Sequence, residues 1–179
     1  MINSRNKGSK NERKVTALYK DWTGYDFSRT PASGGLKWKS NNSIIGDITC
    51  SDESHKDRFP FTIECKSYKE VNFEQLLSAN KNIKILEFWS QAVKDAWRAK
   101  KTPILMVRYN GMPSDLHYLF LPLRFFVGVE DDFEFEFGYL KFIGEDTGFA
   151  ILSSRDFFKS NYKTIAKAAR LYNNQKYGE

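Results

Sequence analysis

An α/β fold, a mixed β-sheet flanked by helices, is predicted by three features of the sequence. Residues 59–66 alternate strictly, Phe-Pro-Phe-Thr-Ile-Glu-Cys-Lys, as a strand with one apolar face does. Residues 82–100 repeat apolar side chains at helical spacing, and the run at 103–108 that follows is apolar at its centre. A buried strand reached through a helix suits a parallel crossover, whereas the polar loop before residue 59 suits an antiparallel hairpin, so the sheet is mixed.

The first element is a helix over about residues 8–22. Val15, Leu18, Tyr19 and Trp22 share a stripe, Ser9 is placed to N-cap, and Glu12 stands in the capping-box position three residues on. The helical period also puts Glu12 at the edge of that stripe, where an acid faces partly inward. Residues 43–50, Ser-Ile-Ile-Gly-Asp-Ile-Thr-Cys, read as a β-branched strand interrupted by one carboxylate, Asp47. The loop at 51–58 joins it to the strand at 59–66, and hairpin pairing brings Asp47 toward Glu64. On that second strand Phe59, Phe61, Ile63 and Cys65 take the apolar face, while Glu64 and Lys66 stand together on the other. Two carboxylates converging near backbone carbonyls form a hard oxygen site of the kind that holds Mg²⁺ or Mn²⁺. An ammonium beside them can orient a water or offset charge on a phosphate.

The helix at 82–100 has its stripe at Ile85, Phe88, Trp89, Ala92, Val93, Ala96 and Trp97, with Gln91 off it, and ends at Lys100-Lys101 before Pro103. Residues 103–108 are then a buried central strand and 116–121 a further one. Residues 130–137 alternate acids with phenylalanines: an outer strand with Phe133, Phe135 and Phe137 inward, whose Glu134 and Glu136 discourage edge pairing. A hairpin at 139–143 and 149–152, a short helix at 154–158, a last helix at 162–172 and a polar tail complete the chain.

The 179 residues carry 28 Lys and Arg against 22 Asp and Glu, a formal charge of +6. Residues 1–39 alone hold nine basic residues, among them Lys7, Lys10, Arg13, Lys37 and Lys39, against three acids. That local excess equals the net charge of the whole chain, and it brackets the first helix as the footprint of a phosphate binder would. Length and 41% apolar content suit one domain over residues 1–179. No apolar run approaches the ~20 residues of a membrane span, and the polar N-terminus lacks a signal-peptide core, so a cytoplasmic address is expected, in a prokaryotic or virus-infected cell. Cys50 and Cys65 fall within predicted strands, which reads as reduced and structural. With two histidines, a zinc cluster and a Ser/His or Cys/His hydrolase lack their motifs.

Four segments in order carry a resemblance: Gly8-Ser9-Lys10-Asn11-Glu12-Arg13, Arg29-Thr30-Pro31-Ala32-Ser33-Gly34-Gly35, Gly46-Asp47-Ile48 and Ile63-Glu64-Cys65-Lys66. Through them the chain resembles the PD-(D/E)XK nuclease superfamily, and within it the archaeal-type Holliday junction resolvases and their phage-borne relatives. Gly46 stands where the superfamily's name has Pro. The resemblance covers about residues 5–110, a catalytic core, and fades over 111–179, an extra β/α portion of the same domain. It implies a restriction-endonuclease-like sheet and a metal-dependent endonuclease acting as a homodimer on four-way or other branched DNA. It further implies that Asp47 and Glu64 bind Mg²⁺, with Mn²⁺ a substitute, that Lys66 positions the attacking water, and that Glu12 completes the acidic cluster. Arg29, Ser33 and Gly34 would contact DNA, and Gln91, on the helix after Glu64-Cys65-Lys66, would touch the DNA backbone or the water. A restriction-like, nicking or repair endonuclease of the same superfamily, or a non-catalytic DNA-binding protein of the same fold, are the alternatives.

Overall fold

In the computed structural model the described residues are 4–30, 45–70, 73–77, 83–136, 138–143 and 148–178. In chain order they form α1 (Ser4–Thr23), β1 (Phe27–Arg29), β2 (Ile48–Cys50), β3 (Phe61–Tyr68), α2 (Lys84–Ala99), β4 (Thr102–Tyr109), β5 (Tyr118–Pro122), α3 (Leu123–Val127), β6 (Tyr139–Phe142), β7 (Phe149–Ser153), α4 (Ser154–Lys159) and α5 (Tyr162–Tyr177). The strands lie in the order β1-β2-β3-β4-β5-β7-β6. Among the described residues only β3 and β4 pair in parallel, in register from Phe61 with Thr102 to Tyr68 with Tyr109, and α2 makes the crossover between them. The other pairings are antiparallel, so the sheet is mixed and flanked by helices, as the sequence predicts.

The unbroken apolar run of β4 has a direct cause: both faces of the strand are covered. Ile104 and Met106 join the core beneath α1, α3 and α5, with Phe61, Ile63, Cys65, Leu119 and Leu121. Leu105 and Val107 point the other way and pack with Ile85, Trp89 and Ala92 of α2. Alternation in β3 is likewise kept, with Phe61, Ile63 and Cys65 in the first core and Glu64 on the α2 side. The far C-terminal helix is tied to the start of this parallel pair. Buried Asn173 accepts from the Thr102 hydroxyl at 2.7 Å and donates to the Pro60 carbonyl at 2.9 Å.

Several expectations are corrected. α1 begins at Ser4, so Ser9 and Glu12 lie inside the helix and neither caps it; Gly8 weakens a helix by about 1 kcal/mol without ending it. Strand pairing at β2 covers three residues rather than residues 43–50, of which 43 and 44 lie outside the described residues. Trp97 is not part of the buried stripe but 62% exposed, with its ring against Tyr177. Residues 130–136 are no strand: a 3-10 turn, Glu130–Asp132, leads into unpaired chain. β6 already occupies that edge of the sheet, so Phe133 and Phe135 pack on Phe126 instead, and Glu130 and Glu136 pair with Lys141 and Lys159. The supposed polar tail continues α5 to Tyr177, because Asn173 is buried by the bonds just given. Residues 139–142 and 149–153 do form the expected hairpin pair, and this C-terminal part supplies strands to the same sheet.

Candidate active site

Asp47 sits immediately before β2, and three backbone hydrogen bonds hold it there. Its N–H donates to the Ile63 carbonyl at 2.8 Å, its carbonyl accepts from Thr30 N–H at 2.9 Å, and its Oδ2 accepts from Cys65 N–H at 2.9 Å. The last bond ties the Asp47 carboxylate to the peptide that follows Glu64. This close approach of β2 to β3 is possible because residue 46 is glycine. Gly46 has φ +97°, and a Cβ there would lie 2.7 Å from the Ile63 carbonyl oxygen. Proline, locked near φ −65°, does not fit that backbone, which accounts for the departure from the superfamily's name.

Glu64, 5% exposed, gathers two polar neighbours on one oxygen: Lys66 Nζ at 2.5 Å and Gln91 Nε2 at 3.1 Å both donate to Oε1. Lys66 lies two residues along the same strand face, and its ammonium stands 5.6 Å from the centre of the Phe88 ring. Burial, and then the negative charge of Asp47, push the Glu64 carboxyl up to about 7, against the pull of Lys66. Gln91, expected on the DNA backbone or the water, thus reaches the acid itself, across the crossover made by α2.

Glu12 is buried on α1, where Arg29 Nε donates to its Oε2 at 2.5 Å. Asp47, Glu64 and Glu12 all act on the Cys65 thiol, which burial first and then these carboxylates push well above its usual range. The three acids therefore all lie within electrostatic reach of Cys65 on β3. They do not close into a cage: among the described residues no group of three His, Cys, Asp or Glu side chains could hold a metal ion. Glu12 is engaged with Arg29, whereas Asp47 and Glu64 are two hard-oxygen donors of like charge, with Lys66 on Glu64. A divalent cation fits that chemistry, since it would offset the charge that burial makes costly.

Of the cationic candidates, Lys7, Lys10 and Arg13 are exposed along α1 at three-residue spacing, and Arg29 is half-buried against Glu12. Ser33, Gly34, Lys37 and Lys39 lie outside the described residues. Sequence reasoning missed what holds α1 in place. Asn11 Oδ1 accepts from His117 Nε2 at 2.8 Å, and Trp22 Nε1 donates to the Ser160 carbonyl at 2.8 Å. Those partners lie 106 and 138 residues away, beyond any local signal.

A sequence profile for the phage putative PDDEXK endonuclease family matches residues 3–132. Protein D14 of Escherichia phage T5 is 26% identical over 108 residues, which cover 60% of this chain and 65% of that protein. The chain therefore spans just under two thirds of the length of this relative. No solved structure matches.

Proposed function

Since the chain belongs to the phage PD-(D/E)XK endonuclease family, we propose that it is a divalent-metal-dependent endodeoxyribonuclease that hydrolyses phosphodiester bonds in branched DNA, four-way junctions first among them. The observation that carries this reading is the buried pair Asp47 and Glu64, held on adjoining strands by the bonds to Ile63 and Cys65, with Lys66 on Glu64.

In the proposed mechanism Asp47 and Glu64 hold Mg²⁺, for which Mn²⁺ can substitute. The ion's chemistry is to polarise the phosphate and acidify a bound water. Asp47 contributes a carboxylate whose direction is set by the Cys65 N–H, so little reorganisation accompanies binding. Lys66 orients the attacking water and offsets charge developing on the phosphate, while Gln91 fixes the Glu64 carboxylate that Lys66 also touches. Arg29, anchored by Glu12, presents a cation at the approach to this pair. Lys7, Lys10 and Arg13 hold the DNA backbone without reading sequence, as do Lys37 and Lys39 of the basic N-terminal segment, together with Ser33 and Gly34. Two copies related by a two-fold axis would match the symmetry of a four-way junction, which supports a homodimer as the working assembly.

The deciding experiment compares a labelled four-way junction with matched duplex and single strands, in Mg²⁺ and in EDTA, using wild type and Asp47→Asn. Paired nicks in the junction alone, lost with EDTA and in the variant, are the expected result. Metal-dependent cutting of linear DNA in preference to the junction would replace the substrate with that of a restriction-like, nicking or repair enzyme. Normal cutting by Asp47→Asn would overturn the site.

A further inference from the structure

At the other end of β3 from Lys66 the sheet and α5 enclose a cleft of about 700 Å³. Four cations line it: Arg58 from the loop before β3, Lys100 and Lys101 from the turn after α2, and Arg170 from α5. Lys100 ends α2 in the left-handed conformation, φ 53° and ψ 42°, which turns the chain so that consecutive lysines border the same space. None of the four forms an ion pair with a described residue, and the one carboxylate in the lining is Asp57. Four like charges left facing one cleft repel each other and concentrate a positive field there.

We propose that this cleft is a second phosphate-binding site, which takes DNA backbone outside the stretch being cut. The inference rests on the nuclease reading of the Asp47 and Glu64 site. Pro60 borders the cleft and Glu64 lies four residues further along the strand, about 13 Å at 3.3 Å per residue. Phosphates in the cleft are therefore several base pairs away from the scissile one, or belong to another arm of a branched substrate. Arginine forks suit phosphate oxygens in particular. The ring pair in the wall, Tyr25 stacked on His55 at 3.9 Å and 4°, is already closed on itself, and the His55 ring is bonded to the Tyr162 hydroxyl. That leaves no open aromatic slot for a base, so the cleft suits a backbone rather than a mononucleotide. Burial also holds the Lys101 ammonium below the usual lysine range, a cost that a bound anion would offset.

The test uses R58A/R170A, which removes two exposed cations, and measures binding of duplex and four-way DNA in EDTA as salt is raised. Each lost phosphate contact lowers the slope of log affinity against log salt by about one, so the expected fall is about two, together with weaker binding. The conservative R58K/R170K variant should keep the wild-type slope, and so should R124A/K163A, which removes two exposed cations elsewhere. Thermal melting of each variant establishes that the fold is kept. A parallel titration with dAMP separates the two sources of phosphate. If R58A/R170A keeps the wild-type slope while the wild type binds and cuts DNA, the cleft proposal fails and the nuclease reading stands. The same proposal fails if dAMP binds the wild type, loses its binding in R58A/R170A, and DNA affinity does not change. A wild type that binds no DNA would overturn both.

Discussion

Replacing Gly46 by alanine tests whether the aim of Asp47 depends on the close contact between β2 and β3. At φ +97° an L-residue costs about 1–2 kcal/mol in backbone strain alone. The added Cβ would meet the Ile63 oxygen at 2.7 Å and the Ile63 nitrogen at 3.2 Å, both main-chain atoms of a central strand that cannot swing aside. Reaching ordinary contact at 3.4 Å requires about 0.7 Å of movement. The movement pulls on the bonds from Asp47 N–H to Ile63 and from Cys65 N–H to Asp47, each worth about 1 kcal/mol. The expected loss of stability is therefore about 3 kcal/mol, read by urea unfolding. A shift of nearly 1 Å at a proposed metal ligand should slow cleavage by about 100-fold. Gly111→Ala is the matched control: its φ is +91°, yet a Cβ there meets nothing within 4 Å, so it bears the strain without the collision. If Gly46→Ala unfolds no more readily than Gly111→Ala, or cuts DNA as fast, the reasoning is refuted.

Other outcomes follow from the same geometry. Lys66→Met should reduce junction cleavage by more than about 100-fold while DNA affinity in EDTA changes little, because the ammonium acts at Glu64 rather than along the basic surface; equal losses of binding and cutting would argue against that role. Asn173→Ala should lower stability by about 2–3 kcal/mol in urea unfolding, since the Thr102 hydroxyl and the Pro60 carbonyl both lose a buried partner. His117 gives a pH dependence. Burial first, then the nearby Arg108 and Lys14, push it down to about 4, so the unfolded chain binds the proton more tightly than the folded one. Its contribution is complete above pH 6.5 and is lost as the pH falls toward 4, by up to about 3 kcal/mol. In His117→Gln the corresponding slope of unfolding free energy between pH 6.5 and 4 should be shallower, and an unchanged slope would refute the assignment.

The candidate site was legible in the sequence where its parts are local. Glu64 and Lys66 share a strand face by the two-residue period alone, and Asp47 reaches them through one hairpin, so short-range pattern sufficed. The buried strand at β4 was equally plain, because residues covered on both faces cannot alternate. Misreadings arose where distant contacts decide. The phenylalanines around residue 133 have the period of a strand, yet β6 takes the edge they would need. Asn173 looks like tail composition until its two buried partners at residues 60 and 102 are known. Glu12 had the spacing of a cap, which the longer course of α1 rules out. Its inward-facing place at the edge of the stripe, read from the helical period, is kept, with Arg29 as its partner.

The pinning of α1 by His117 and Ser160 bears on how the protein is made. During synthesis the strands that carry Asp47 and Glu64, and the helix that carries Gln91, leave the ribosome well before either anchor of α1 exists. Contacts spanning more than 100 residues are slow to close and form late. Helix α1 can pack early on Phe27 and Phe59, with Glu12 on Arg29, but it gains its bonds to His117 and Ser160 only after residues 117 and 160 are made. A nascent chain would thus carry the acidic pair beside a basic helix not yet pinned at either of these two points, and the final seating of that helix would follow synthesis of residue 160.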